Sequence, residues 1–159
     1  MKNDERKILV VGLGLLGMSL AMAFRRAGIS VAGCNRHSEA VEFGISNGYL
    51  VPESAESQEK LLSGADVVFL ALHGENGENG KVQAALDLMG VRYTGTDYLS
   101  SAICMDKGLT KDMFALFSVP TPAGIKLKKA EADPKTVPFP CVVKACCGGS
   151  SVGVAMADN

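Results

Sequence analysis

Glycines at 12, 14 and 17 form the pattern G-x-G-x-x-G, and their neighbours give the pattern a context. An apolar, β-branched run at 7–12 leads into it, and apolar residues at helical spacing follow over 15–27. In such a strand–turn–helix the first glycine permits the tight turn and the second lets the backbone approach a pyrophosphate. The third allows close helix–strand packing, and free N–H groups at the helix start face the anion. A dinucleotide site also needs a ribose reader after the second strand. There the chain has Asn35, Arg36 and His37 and no acid. A cation at Arg36 suits a 2′-phosphate, so the pattern favours NADP over NAD. The competing explanation is a glycine turn kept for packing alone.

Further candidates lie downstream. His73 opens a glycine-rich loop at 73–80, Lys107 follows Met105-Asp106, and Lys144 ends the apolar run Val142-Val143. Gly148-Gly149-Ser150-Ser151 follows two residues after a cysteine pair begins. Taken singly, each has an ordinary reading: a solvated lysine, a capping histidine, a turn. The five cysteines (Cys34, Cys104, Cys141, Cys146, Cys147) form an odd set without C-x-x-C spacing. Adjacent Cys146 and Cys147 are poorly placed to bridge each other, and no histidine cluster accompanies them. All five are read as reduced thiols of a cytoplasmic protein, and no metal site is expected.

Bulk properties exclude several partners. The chain has 159 residues, 47% of them apolar and 21% charged, which is an ordinary globular balance. A formal net charge of -1 offers no field for nucleic acid or anionic lipid. Aromatic content of 6% with no Trp makes stacking platforms for single strands a poor fit. The apolar run at 8–24 superficially suggests a signal peptide or membrane span. Asp4 and Glu5 spoil a positive leader and Arg25-Arg26 closes the run, so a strand, turn and helix are expected instead.

The elements that must position these residues follow from periodicity. Strands are expected at 7–12, 30–34, 66–72 and, briefly, 91–94. Helices are expected at 15–27, at 37–47 with Ser38 as N-cap, and from an Asn79 N-cap to Met89. Residues 97–117 read as helical in two pieces around Asp106. Strands alternating with helices imply a parallel α/β sheet. After Pro120 and Pro122 come strands at 125–127, 140–145 and 152–155 without helices between them, which implies an antiparallel piece. The expected division is an α/β domain at 1–95, a helical connection at 96–119 and a second subdomain at 120–159. Because that last piece has little core of its own, it is expected to be loosely ordered or aggregation-prone alone.

Two family resemblances attach to these motifs. KILVVGLGLLGMSLAMAFRRAG, within residues 6–70, resembles the Rossmann segment of a prephenate or arogenate dehydrogenase. From Asp66 onward, DVVFLALHGENGENGKVQAALDLMGVRYTGTDYLSSAICMDKGLTK and FPCVVKACCGGSSVGVA resemble D-alanine–D-alanine ligases. An apparent join therefore falls near 66–72. The ligase resemblance implies a Rossmann-like (pre-ATP-grasp) sheet followed by an incomplete antiparallel ATP-grasp subdomain. It implies ATP with Mg as cofactor, D-alanine as substrate, a role in peptidoglycan precursor synthesis, and room for a homodimer. By the same resemblance Lys107 and Lys144 match lysines on ATP phosphates, and Gly148, Gly149 and Ser151 match the loop closing over them. Ser150 matches the serine that positions the first D-alanine, and His73 a histidine near the substrate and transferring phosphate. Two departures stand out: Gly12 to Ser19 replaces the family's first glycine loop with its acid, and Ala145 stands where a Pro is common. The family's magnesium ligands are expected beyond Asn159, so phosphoryl transfer by this stretch alone is expected to fail.

Overall fold

The computed structural model describes residues 7–128 and 133–158. Its first layer is a parallel sheet in the order β2-β1-β3, formed by Ile8–Val11 (β1), Val31–Cys34 (β2) and Val67–Leu70 (β3). Ile8 lies beside both Val31 and Val67, and the register runs in step to Val11 beside Cys34 and Leu70. The central strand is apolar on both faces because both faces are covered. Leu9 belongs to a cluster with Leu61, Val68 and Leu86, whereas Val10 packs with Leu13, Ala21, Val31 and Leu50. Leu15–Arg26 (α1) and Ser38–Ser46 (α2) supply one face. Gln58–Gly64 (α3) and Lys81–Leu88 (α5) supply the other.

Between β3 and α5 the loop 73–80 contains a short helix, Glu75–Glu78 (α4). The glycines at 74, 77 and 80 argue for an open loop; the chain instead closes a turn, with Gly74 O accepting from the N–H of Gly77 and Glu78 at 3.1 Å. The expected strand at 91–94 reduces to one parallel bridge between Val68 and Tyr93. Two caps also shift. His37, not Ser38, precedes α2, and Gly80 with φ 87 precedes α5, although Asn79 Oδ1 still accepts from Lys81 N at 3.2 Å.

Within 97–117 the chain is helical in two pieces, as the pattern predicts. Tyr98–Met105 (α6) and Lys107–Leu116 (α7) meet at Asp106. Asp97 caps the first and Asp106 the second, each accepting two backbone N–H bonds that would otherwise be unmade. Beyond them a two-stranded antiparallel sheet pairs Cys141–Val143 (β4) with Ala155–Ala157 (β5). Residues 125–127 are not a strand: among the described residues none pairs with them in a ladder. The last strand lies later than the expected 152–155, since Val152 N donates to Gly149 O in a turn. The chain is thus α/β, with a parallel sheet and a small antiparallel one. Among the described residues no helix is long and apolar enough to cross a membrane.

Candidate functional site

The N-terminal glycine turn has the shape its sequence predicts. Gly12 takes φ +93, and a Cβ there would lie 2.7 Å from Ala71 O. A Cβ on Gly17 would lie 1.9 Å from Gly12 O, so α1 can seat against the turn only without a side chain at that place. Packing therefore accounts for Gly12 and Gly17. Gly14 stands in open space at the N-cap of α1. Asn35 Oδ1 accepts from Leu13 N at 3.2 Å, which spends one of the turn's donors within the protein. Arg36 is exposed just past β2.

Lys107 and the loop 148–151 meet, with Glu78 of the loop after β3 beside them. Lys107 begins α7, and its Nζ donates to Gly148 O at 2.6 Å while its backbone N–H donates to Cys146 O at 3.0 Å. A bridge between Asp106 and Cys147 completes the join. The third element is the loop carrying His73: Glu78 Oε2 accepts from Gly74 N at 3.1 Å, and a Cβ on Gly149 would lie 3.5 Å from that same oxygen. So the start of α7, the loop 148–151 and the loop after β3 share one neighbourhood. Lys144 leaves the end of β4 exposed, and His73 is exposed as well.

The loop itself is unusual. Gly148 has φ 145, while Ser150 and Ser151 have φ 53 and 58. The left-handed region costs an L-residue roughly 1–2 kcal/mol, so two in succession make this a strained turn. Among the described residues, no hydrogen bond uses the N–H of Gly148, Gly149, Ser150 or Ser151. Successive unspent N–H groups in a turn make an anion-binding concavity.

Comparison with known proteins can now be set beside this geometry. Residues 29–96 match the family model described as D-ala D-ala ligase N-terminus. The resemblance is to D-alanine–D-alanine ligases. That of Lacticaseibacillus casei is 47% identical over 97 residues, covering 60% of this chain and 27% of the relative. That of Alcanivorax borkumensis is 40% identical over 123 residues, covering 76% of this chain and 39% of the relative. The crystal structure of the Bacillus anthracis D-alanine–D-alanine ligase superposes with a TM-score of 0.68 at 28% identity, over 97% of this chain and 50% of that one. A structure of the same ligase complexed with ATP gives 0.67 at 26% identity. The chain thus spans well under half of these curated relatives and half of the solved chain. The ligase resemblance extends upstream of Asp66, since the family match begins at residue 29 and takes in β2, α2 and α3. These relatives lend no support to the dehydrogenase-like reading of residues 6–70.

One site feature escaped the sequence. Glu78, in the tandem G-E-N of the loop, ties the His73 loop to itself and stands beside Gly149. Its spacing four residues from Gly74 is the only signal, and it becomes legible once 75–78 is known to be helical.

Proposed function

We propose that this chain supplies the phosphate-gripping part of an ATP-dependent ligase joining two D-alanine molecules. The observation that carries this reading is the loop 148–151, its N–H groups unspent and its carbonyl at Gly148 held by Lys107 Nζ. ATP would supply the phosphoryl group that activates a carboxylate. The residues here fit its phosphates by charge and donor type. Lys107 and Lys144 offer ammonium groups, and the loop offers backbone donors aimed by conformation rather than by charge.

Lys107, whose Nζ donates to Gly148 O, would hold a phosphate oxygen with the same ammonium group. Lys144, exposed beyond β4, would offer a second ammonium group to the nucleotide phosphates. Ser150 would hold the first D-alanine through its hydroxyl, and His73, on the loop whose Glu78 stands beside Gly149, would orient the substrate near its reacting carboxylate. Magnesium, when bound, would supply neutralisation of phosphate charge. The protein's own share is orientation and fixed positive potential.

Calorimetric titration of the full chain with Mg-ATP tests this. Binding should be saturable, and Lys144→Ala should weaken it about tenfold or more, the value of one charge-assisted hydrogen bond. Equal affinity in Lys144→Ala and in Lys107→Ala would sink the assignment.

A further inference from the structure

Asp106 does more than cap α7. Its Oδ1 accepts from Gly108 N at 2.8 Å and Leu109 N at 3.0 Å. The same carboxylate faces two thiols from the adjoining loop: Cys146 Sγ donates to Oδ1 at 2.9 Å, and Cys147 Sγ to Oδ2 at 3.7 Å. The ligand atoms of these three residues all lie within 4.8 Å of one another. Backbone holds them there, through the Asp106–Cys147 bridge and the bond from Lys107 N to Cys146 O. Neither thiol has a part in the nucleotide reading.

We propose that Asp106, Cys146 and Cys147 form a binding site for a soft divalent cation of the zinc type. Zinc lies about 2.3 Å from thiolate sulfur and about 2.0–2.2 Å from carboxylate oxygen, so tetrahedral ligand atoms sit roughly 3.5–3.8 Å apart. The spacings here need adjustments of about an ångström to reach that. Two sulfurs among three ligands select zinc, cobalt or a softer ion over magnesium or calcium. The fourth position faces solvent, because Cys147 and the loop after it are exposed.

Charge bookkeeping is consistent. Two thiolates and a carboxylate carry three negative charges; the ion offsets two, and Lys126, whose Nζ lies 3.5 Å from Asp106 Oδ1, offsets the third. The Lys126 side chain is 55% exposed and so can shift aside without leaving the field of the site. Asp106 Oδ1 accepts from the Cys146 thiol and from the N–H groups of Gly108 and Leu109, an arrangement that suits an ionised carboxylate. Cys147 Sγ donates its proton to Asp106 Oδ2, so metal binding displaces that proton. The ion therefore replaces two thiol protons, which pass to solvent, and forms two metal–sulfur bonds and one metal–oxygen bond with no change of oxidation state. The bound ion would fasten the loop 146–151 to the start of α7. This inference stands without the nucleotide reading, since none of its three ligands is assigned to ATP.

The test is titration of the reduced full chain with Co2+, followed by Zn2+. One cobalt per chain should bind with thiolate-to-cobalt charge-transfer absorption, and zinc should displace it with release of about two protons per ion. Cys146→Ser and Cys147→Ser should each weaken zinc binding by more than the roughly 10–100-fold that loss of a supporting partner costs. Both variants leave the Asp106 caps in place, and circular dichroism reports whether they fold. Cys104→Ser should bind as the parent does. Absence of the thiolate absorption, or its persistence in the Cys146→Ser/Cys147→Ser double variant, would overturn the proposal.

Discussion

The parallel sheet and the antiparallel pair are built on opposite principles. In the first, Leu9, Val10, Val31 and Val68 are essentially sealed from water, and helices cover both faces. In the second, Val142, Val143 and Met156 are 52%, 53% and 77% exposed. The sheet holds the core and little chemistry of its own beyond the glycine turn. The hairpin holds the charged and hydrogen-bonding groups and almost no core. Its geometry comes instead from the seam where Asp106 and Lys107 bond to residues 146–148. The candidate site is thus held by polar stitching across a junction rather than by apolar burial beneath it.

The largest effect that would sharpen this contrast is on stability. Leu9→Ala should cost about 2–5 kcal/mol in denaturant unfolding, because it empties a sealed position. Val142→Ala, at a half-exposed site, should stay within about 0.5 kcal/mol. Comparable losses at both positions would mean the hairpin buries more than its exposure suggests. Next comes Gly17→Ala, expected to cost about 1–3 kcal/mol through overpacking against Gly12 O. A neutral result would show that the turn yields, and would reopen a purely functional explanation of that glycine.

A proteolytic contrast should follow. Limited digestion should cleave within 119–158 well before it attacks the sheet, since local opening is easiest where few apolar contacts resist it. Equal resistance would break the comparison outright. The smallest effect concerns acid. Asp97 sits at the start of α6, and hydrogen bonds from Ser100 first, then from Leu99, hold its carboxyl below the usual range. A lowered folded value means its stabilising contribution is complete above the unfolded value of about 4 and is lost as pH falls through the folded value. Asp97→Asn, which can still cap, should flatten the pH dependence of the melting temperature in that acid window. An unchanged slope would remove Asp97 from the account.

Sequence made the two regions legible to different degrees. Periodicity and glycine placement located β1, α1, β2 and β3 because each is a local pattern with a buried outcome. The break at Asp106 was legible too, since an aspartate between two helical runs is a natural cap. Residues 125–127 misled, because an apolar triplet becomes a strand only when a neighbour pairs with it. The strand expected at 152–155 slipped because the serines at 150 and 151 turn left-handed, and a side-chain pattern does not report that. Chemistry split in the same way. Lys107 and the loop 148–151 are named from resemblance, and the structure joins them by one hydrogen bond, from Lys107 Nζ to Gly148 O. The grouping of Cys146 and Cys147 with Asp106 was invisible, because forty residues separate the carboxylate from the first thiol and only the fold brings them together.

Two turns in this molecule could greet a phosphate, and backbone hydrogen exchange with and without Mg-ATP distinguishes them most directly. The account predicts slowed exchange at residues 144–151 and at the first turn of α7, with the glycine turn at 12–17 unchanged. Protection at 12–17 with none at 148–151 would contradict it.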